Sequence, residues 1–500
     1  MFKVPATVLC DFYKVAHRAM YPKGTSVVYS TWTPRASRVP GVNEVVVAGN
    51  QQFIKEYLVD YFNENFFSRP KAEVVAEYVR TIKYTLGDPN PDASHISELH
   101  ELGYLPLEIR AVPEGTVVSI RTPVLTIQNT IDKFFWLTNY VESLASCELW
   151  PLYTSATTAH EYRKLLDAAA MRTVGDTGFV QFQGHDFSFR GMGGLHHATK
   201  SGIGHLLSFS GTDTIPSILA AEYYYNANIE KELVGTSIPA SEHSIQCTYE
   251  DDLEYFTKLI TDVHPNGFVS IVSDGYDFWD VIGRVIPALK DKILARSGGP
   301  LGDRVVIRPD SGDPVLIVAG DPNGKTELER KGAVEALWDI FGGTKTEKGF
   351  KLLDSHIGLI YGDSITLGRA AEITKRLEEK GFASINCVFG IGSYTYQYVT
   401  RDTFGFALKT TASVINGKEK QIFKSPKTDD GTKKSQKGVV YVTKVDGEIK
   451  WTDGHSLKDV LPNNLLQPIF RDGKLLVNEK FSDIRARLEA VRTKKTLVTA

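Results

Sequence analysis

Between about residues 178 and 393 the chain repeats one pattern: a short, continuous apolar run, rich in β-branched residues, that ends in charged residues and glycine. The run at 181–187 (QFQGHDF) ends in His185, Asp186 and Phe187, and the glycine-rich turn Arg190-Gly191-Met192-Gly193-Gly194 follows it. Similar endings recur at 211–214, 236–243, 269–277, 305–312, 357–364 and 385–393. Continuous rather than alternating apolar runs mark strands buried on both faces, hence a parallel sheet. Intervening stretches such as DDLEYFTKLITDV (251–263) and GRAAEITKRLEEKG (368–381) carry helical spacing, the second with a glycine stop. Seven such strands alternating with helices predict an irregular α/β barrel, with an open doubly wound sheet as the alternative. Both architectures place their chemistry at the C-terminal ends of the strands, where this chain places its polar residues.

The two ends of the chain have other patterns. QQFIKEYLVDYF (51–62), AEVVAEYVRTIKYTL (72–86) and residues 133–172 are helical in spacing, whereas 100–130 reads as short strands broken by proline and glycine. The first 45 or so residues read as an arm, with 26–32 as an edge strand after the Tyr21-Pro22-Lys23-Gly24 turn. After Arg401, alternating segments separated by Asn416-Gly417, Asp446-Gly447, Asp453-Gly454 and Asp472-Gly473 predict hairpins, and a terminal helix capped by Ser482 closes the chain. The lysine-rich stretch 424–438 is expected to be mobile, and the insert around Asp321–Gly324 has no assigned role. The expected organisation is α/β: a barrel-like catalytic domain over 151–393, with residues 1–150 and 394–500 together forming a second, α+β domain.

Composition narrows the class. Of 500 residues, 42% are hydrophobic and 23% charged, as in ordinary globular proteins. A net charge of −3 speaks against general nucleic-acid binding but not against a local cationic pocket. Cys10, Cys147, Cys247 and Cys387 are scattered, which fits a reducing cytoplasm and disfavours disulfides or a zinc site. Asp11 precedes any long apolar run, so no signal peptide is expected. No stretch approaches the roughly 18 apolar residues of a membrane span, so no membrane partner is expected either.

Arg190, Arg308, Arg401, Lys409 and Lys424 lie beside strand ends or in glycine-bearing turns, where guanidinium forks and ammonium groups suit phosphate oxygens. Gly390-Ile391-Gly392-Ser393 ends the last barrel strand, where backbone N–H groups can cradle a phosphate, or the glycines simply make a tight turn. There is no GxxxxGK[ST], so no Walker-type nucleotide loop. Asp186, Asp213, Glu242, Asp274, Asp310 and Asp363 supply acids at nearly every strand end, suiting either a phosphate–magnesium–ribose ligand or a structural ion-pair network. His243 follows Glu242, a carboxylate able to orient its imidazole, as general base, phosphate ligand, nucleophile or ordinary hydrogen-bonded residue. His196, His197 and His205 read as ordinary polar residues, and no HxxxH or HExxH pattern marks a transition-metal site.

Taken in order, DFYKVAHRAMYP, LPLEIRAVPEGTVV, FWLTNYVE, HDFSFRG, GTDT, SIPASEHS, VSIVSDGYD, IRPDSGDP, GDS and TRD resemble the nicotinamide phosphoribosyltransferases over essentially the whole chain. The resemblance implies the type II phosphoribosyltransferase fold, with an irregular α/β barrel and a second domain built from both chain ends. It implies a homodimer with active sites at the interface. The implied reaction joins nicotinamide to 5-phosphoribosyl 1-diphosphate, giving nicotinamide mononucleotide and diphosphate in NAD salvage. Phe187 matches the aromatic residue on one face of the nicotinamide ring, and Tyr13 of the partner subunit the other. Asp213 matches the acceptor of the carboxamide NH₂, Arg190 and Arg308 the residues flanking ring and diphosphate, and Asp310, Gly362 and Asp363 the ribose and magnesium side. Gly392 and Ser393 fall at the 5′-phosphate clamp, while Arg35, Arg401, Lys409 and Lys424 match cations contributed across the dimer. His243 matches the histidine that ATP phosphorylates, with Glu242 and Asp274 as its supports. Mg²⁺ and ATP are the implied cofactors; the diphosphate would carry the metal, and no protein ligand is assigned. The chain departs from the family pattern at Gly390–Tyr394 (GIGSY), which is poorer in glycine, and at Met192-Gly193-Gly194. Competing readings are a nicotinate phosphoribosyltransferase, a Schiff-base aldolase, for which no strand-end lysine is present, and a non-catalytic nucleotide-binding protein.

Overall fold

A computed structural model describes residues 3–424 and 435–499, so most of the 424–438 stretch lies outside the described residues. The chain forms two compact units: Met1–Thr157 with Ala220–Ala227 and Val399–Leu488, and Thr158–Leu219 with Asn228–Tyr398 and Glu489–Ala500. The expected C-terminal block is therefore shared, because its last turns belong with the second unit. There Arg492 donates to Ser208 Oγ (3.1 Å) and pairs with Glu489, while Arg163 donates to the Ser208 carbonyl (2.9 Å). Buried arginines are kept only when so satisfied, and these tie the terminal helix to this unit.

The first unit is built on a 7-stranded antiparallel sheet, ordered Lys418–Gln421, Ala407–Ile415, Thr25–Thr33, Leu125–Asn129, Leu107–Ala111, Gln467–Arg471 and Lys474–Leu475. Thr25–Thr33 is thus an interior strand, not the edge strand expected. Its hydroxyl-rich sequence reads as exposed, but Ser30 and Thr31 are fully buried and Asn139 satisfies Ser30 (2.8 Å) and Thr410 (2.7 Å). The same strand carries Trp32, fully buried and stacked on Phe406 with centroids 5.2 Å apart and planes 8° from parallel. Trp32→Ala is expected to destabilise this unit by about 3–5 kcal/mol, read as a lower denaturation midpoint, with Trp32→Phe costing much less.

Three of the four expected hairpins form. Asn416-Gly417, Asp446-Gly447 and Asp472-Gly473 all take positive φ, as type I′ turns require. Asp453-Gly454 instead lies inside the strand Glu448–His455, at a register shift opposite Val439–Tyr441, and makes a bulge. Ser482 does not cap the terminal helix; that helix begins at Phe481, so Ser482 lies in its first turn.

In the second unit a parallel sheet is formed by β1 (Gly184–Asp186), β2 (Gly211–Thr212), β3 (Val269–Val272), β4 (Val305–Arg308), β5 (Ile357–Tyr361) and β6 (Cys387–Ile391), in the order β2-β1-β6-β5-β4-β3. The expected strand at 236–243 is reduced to single bridges, Gly211↔Thr236 on one side and Ala240↔Ser270 on the other. Pro239 lacks the N–H that a continuous ladder needs. Those bridges nevertheless join the two outer strands, so the sheet closes into an irregular barrel. The expected strand at 181–187 is also shorter, because Val180–Gln183 makes a helical turn first. Ile271, Ile307, Leu359 and Phe389 are fully or nearly fully buried, which explains the continuous apolar runs.

Candidate active site

The polar residues at the ends of these strands line one cavity of about 740 Å³, bounded by Phe187, Arg190, Asp213, residues 240–245, Arg308, Asp310 and Gly362. A lobe of about 200 Å³ shares several of these residues and adds Asp363, Gly392 and Ser393. Twelve of the residues singled out in the sequence thus converge, counting Glu242 and His243 on the cavity wall and Asp274 behind it. Two glycines make this closeness possible. A Cβ on Gly390 would lie 2.8 Å from both the Gly362 backbone and the Phe187 ring, and one on Gly191 would meet Ser393 Oγ at 2.1 Å.

Phe187 follows β1 directly and donates its N–H to the Ile391 carbonyl (3.0 Å), which fixes the ring at the mouth of β6. Asp213 follows β2. Its Oδ1 accepts from His185 Nε2 (2.8 Å) and from Ser237 Oγ (2.6 Å). Partial burial pushes its pKa up, but those two hydrogen bonds and the positive charge of Arg308 outweigh burial and hold the carboxyl below its ordinary value. The side chain is 41% exposed, so it is an ionised acceptor that ligands can reach. Asp186, by contrast, is fully buried and spends its carboxylate on Ser188 N–H (2.9 Å) and Thr212 Oγ1 (3.4 Å), which makes it structural.

His243 opens a one-turn helix and is held by the carboxylate of Asp274, Nε2 to Oδ1 at 3.0 Å, with Asp310 Oδ1 at 3.6 Å. Glu242, its sequence neighbour, does not support it; Glu242 Oε1 accepts from Ser244 Oγ instead. Asp274 Oδ2 accepts from Asp310 N–H (2.9 Å), Ser311 N–H (2.8 Å) and Ser311 Oγ (2.6 Å). Burial raises the Asp274 pKa, but these donors and His243 together bring it below the ordinary value. Asp310 moves the other way: burial and then the Asp274 charge raise it, only partly offset by His243 and Arg308. Asp310 is therefore an underused carboxylate beside a saturated one. Arg308 gives one Nη to the Ser241 carbonyl, and its Nε has no partner among the described residues. Tyr361 Oη donates to the carbonyls of Ser311 (2.8 Å) and Gly312 (3.0 Å) and pins the loop after β4.

Five further candidates, Tyr13, Arg35, Arg401, Lys409 and Lys424, belong to the first unit and are not among the residues lining the cavity. Four of them share one neighbourhood. Burial lowers the Lys409 pKa, Glu142 opposes that, and the charges of Arg35, Lys14 and Arg401 lower it further. Lys14 and Lys409 both pair with Glu142, and the Tyr13 ring is 59% exposed beside them. Lys424 is tied by its backbone N–H to Ser435 Oγ at 2.9 Å.

Sequence reasoning missed His185, Ser237 and Ser311 as parts of the site. His185 was visible only as the residue two before Phe187. Its role depends on pairing with a strand 26 residues away, His185↔Gly211, which no local motif reveals.

The sequence profile of the nicotinate phosphoribosyltransferase (NAPRTase) family matches residues 182–474. The chain is 48% identical to a nicotinamide phosphoribosyltransferase of Acinetobacter baylyi over 97% of each chain. It is 35% identical to one of Mycoplasma pneumoniae over 84% of this chain and 92% of that protein. Its fold is similar to nicotinate-nucleotide pyrophosphorylase from Pyrococcus furiosus, with a TM-score of 0.59, 14% identity and coverage of 99% and 97%. It is also similar to human nicotinic acid phosphoribosyltransferase, with a TM-score of 0.52, 14% identity and coverage of 97% and 94%. At that identity these two structures speak to fold alone.

Proposed function

Because the chain belongs to the nicotinate phosphoribosyltransferase family, whose members are pentosyltransferases, we propose that it joins nicotinamide, not nicotinate, to 5-phosphoribosyl 1-diphosphate for NAD salvage, with ATP accelerating the reaction through a phosphohistidine. The observation that carries the choice of base is Asp213, an ionised carboxylate opening into the cavity that Phe187 also lines. It can accept from a carboxamide NH₂. It would repel a nicotinate carboxylate about 4 Å away by about 4 kcal/mol at an effective dielectric near 20, roughly a thousandfold.

The chemistry is displacement of diphosphate at the anomeric carbon by the ring nitrogen, through an oxocarbenium-like state. No enzyme nucleophile is needed at that carbon. The side chains position the base and neutralise the departing diphosphate. Phe187 offers a stacking face, worth roughly 0.5–1.5 kcal/mol beyond area burial. Arg190 and Arg308 face the diphosphate and ring, and Asp310, Asp363 and the Gly392–Ser393 turn suit the ribose and its 5′-phosphate.

Mg²⁺ fits one part of this site. The ligating atoms of His243, Asp274 and Asp310 lie within 4.8 Å of one another. Asp274 already has its oxygens occupied, so Asp310, with only the longer 3.6 Å approach to His243, is the least committed oxygen donor of the three, and the diphosphate would supply further oxygens. When bound, the ion supplies charge neutralisation for the leaving group. Supporting a homodimer is the set of exposed Tyr13, Arg401 and Lys409 with half-buried Arg35 in the first unit. An aromatic ring among cations is what the second ring face and the phosphates would need from a second copy.

Purified protein with phosphoribosyl diphosphate and Mg²⁺, offered each base separately with and without ATP, tests the reading. Mononucleotide from nicotinamide, boosted by ATP, is expected. Product mainly from nicotinate would overturn the choice of base, and no product from either would leave a nucleotide-binding protein.

A further inference from the structure

The cavity residue that selects the base is itself held by side chains outside the reaction path. Strand β1 pairs in parallel with β2, with His185 opposite Gly211 and Asp186 opposite Thr212. Side chains alternate along a strand, so positions 211 and 213 project to the same side as His185. Position 211 has no side chain. A Cβ there would lie 2.8 Å from His185 Nδ1, so the imidazole occupies the space that any other residue would take. It reaches across Gly211 to place Nε2 at 2.8 Å from Asp213 Oδ1. The ring is itself held against Phe187, with centroids 4.5 Å apart and planes at 41°. Ser237, carried by the segment bridged to β2 at Thr236, gives its hydroxyl to the same oxygen at 2.6 Å. Both donors go to Oδ1. Among the described residues no hydrogen bond goes to Oδ2, which leaves it to a ligand.

We propose that His185, seated over Gly211 and assisted by Ser237, is the positioning residue that orients Asp213 and keeps it an acceptor, and so sets the discrimination between amide and acid bases. The inference rests on the function proposed above. His185 touches neither the ribose nor the diphosphate side of the cavity in this arrangement; it acts through Asp213. Asp213 faces His185 on β1 and Arg308 on β4 as its charged or titratable neighbours, with the Ser237 hydroxyl between them and the Asp186 carbonyl accepting its N–H at 2.9 Å. Partial burial pushes its pKa up, and the hydrogen bond from His185 is the foremost opposing influence. The sign follows. With His185 in place the carboxyl stays ionised from about pH 5 to 8, and base preference is flat there. With His185 removed the carboxyl gains a proton at higher pH than before. A protonated Asp213 donates a hydrogen bond to a nicotinate carboxylate instead of repelling it, so preference falls as pH falls.

The test is kcat/KM for nicotinamide and nicotinate, measured from pH 5 to 8, in wild type, His185→Leu, His185→Gln and Gly211→Ala. Glutamine carries its Nε2 at nearly the same reach from Cα as the imidazole Nε2, and so retains the donor. Gly211→Ala keeps the histidine but denies it its seat. The expected result is a fall of about tenfold or more in the nicotinamide-to-nicotinate ratio in His185→Leu, steeper at low pH, the usual effect of losing a hydrogen bond to a charged group. His185→Gln should restore most of the ratio, and Gly211→Ala should lose it. A thermal melt separates loss of fold from loss of selection, and the glutamine variant decides if the leucine variant is unfolded. An unchanged ratio in folded His185→Leu, or a lost ratio in folded His185→Gln, would overturn the positioning role. If wild type itself makes no mononucleotide from nicotinamide, the underlying function fails first, visibly distinct from failure of the variants alone.

Discussion

Asp213→Asn is expected to collapse the preference for nicotinamide over nicotinate from about a thousandfold to about tenfold or less, because the substitution removes the charge and keeps the shape. Asparagine keeps its Oδ1 under the His185 and Ser237 donors and turns Nδ2–H to the ligand, where it can donate to a nicotinate carboxylate or to the carboxamide oxygen, so both bases find a partner. The change should fall mainly on nicotinate, whose kcat/KM should rise, while nicotinamide loses only the difference between a bond to a charged acceptor and a bond from a neutral donor. Asp213→Ala should lose activity with both bases but also lose the preference. The readout is the ratio of the two kcat/KM values, which is insensitive to the fraction of active protein. If both variants keep the wild-type ratio, selection lies elsewhere in the cavity, and Arg308, the other charged group acting on Asp213, is the place to look.

The parallel barrel was legible because its strands are buried on both faces, and that leaves continuous apolar runs with polar ends. It was least legible where the backbone departs from a regular ladder. Residues 236–240 contain Pro239 and hold to their neighbours by one bridge on each side, so a run that reads as a strand is a barrel-closing segment. Residues 26–32 read as an edge strand because they follow a charged arm and turn, whereas strands far along the chain flank Thr25–Thr33 on both sides and Asn139 meets Ser30 from outside the strand. Asp453-Gly454 carries a turn signal, but the register of its sheet turns it into a bulge. Propensity is local, and pairing decides which local option is taken.

The site shows the same division. Residues at strand ends, such as Phe187, Asp213, Arg308 and Asp310, could be picked out because the fold brings all strand ends to one side. Partnerships between them could not. Glu242 is adjacent to His243 in sequence, yet the imidazole is held by Asp274, 31 residues on, from the neighbouring strand. Asp186 shares the strand-end position but points into the protein, because alternate residues on a strand face opposite ways. His185, on the other side of that alternation, is the one that reaches Asp213.

His243→Ala is expected to keep slow synthesis of mononucleotide and lose ATP stimulation altogether. The Asp274 side chain is 2% exposed and ionised, and it accepts from His243 Nε2, which leaves the lone pair on Nδ1. In the proposed function, Nδ1 would attack the terminal phosphorus of ATP. The Nδ1–P bond would form as the bond from that phosphorus to the bridging oxygen breaks, with ADP leaving with the electron pair. Asp274 would stabilise the positive charge on the ring, and water would later cleave the phosphohistidine to inorganic phosphate. Without the imidazole there is no acceptor, so ADP formation should stop as well, and the ADP-to-mononucleotide ratio is the direct measure. Asp274→Asn separates two functions of that carboxylate. It should slow ADP formation by weakening the imidazole, and it should also raise KM for phosphoribosyl diphosphate, because Asp274 Oδ2 holds the Asp310–Ser311 backbone in place. His243→Ala leaves that loop untouched, so its KM for phosphoribosyl diphosphate without ATP should stay near wild type. Full ATP stimulation in His243→Ala would remove the phosphohistidine from the mechanism and leave His243 as a wall of the cavity.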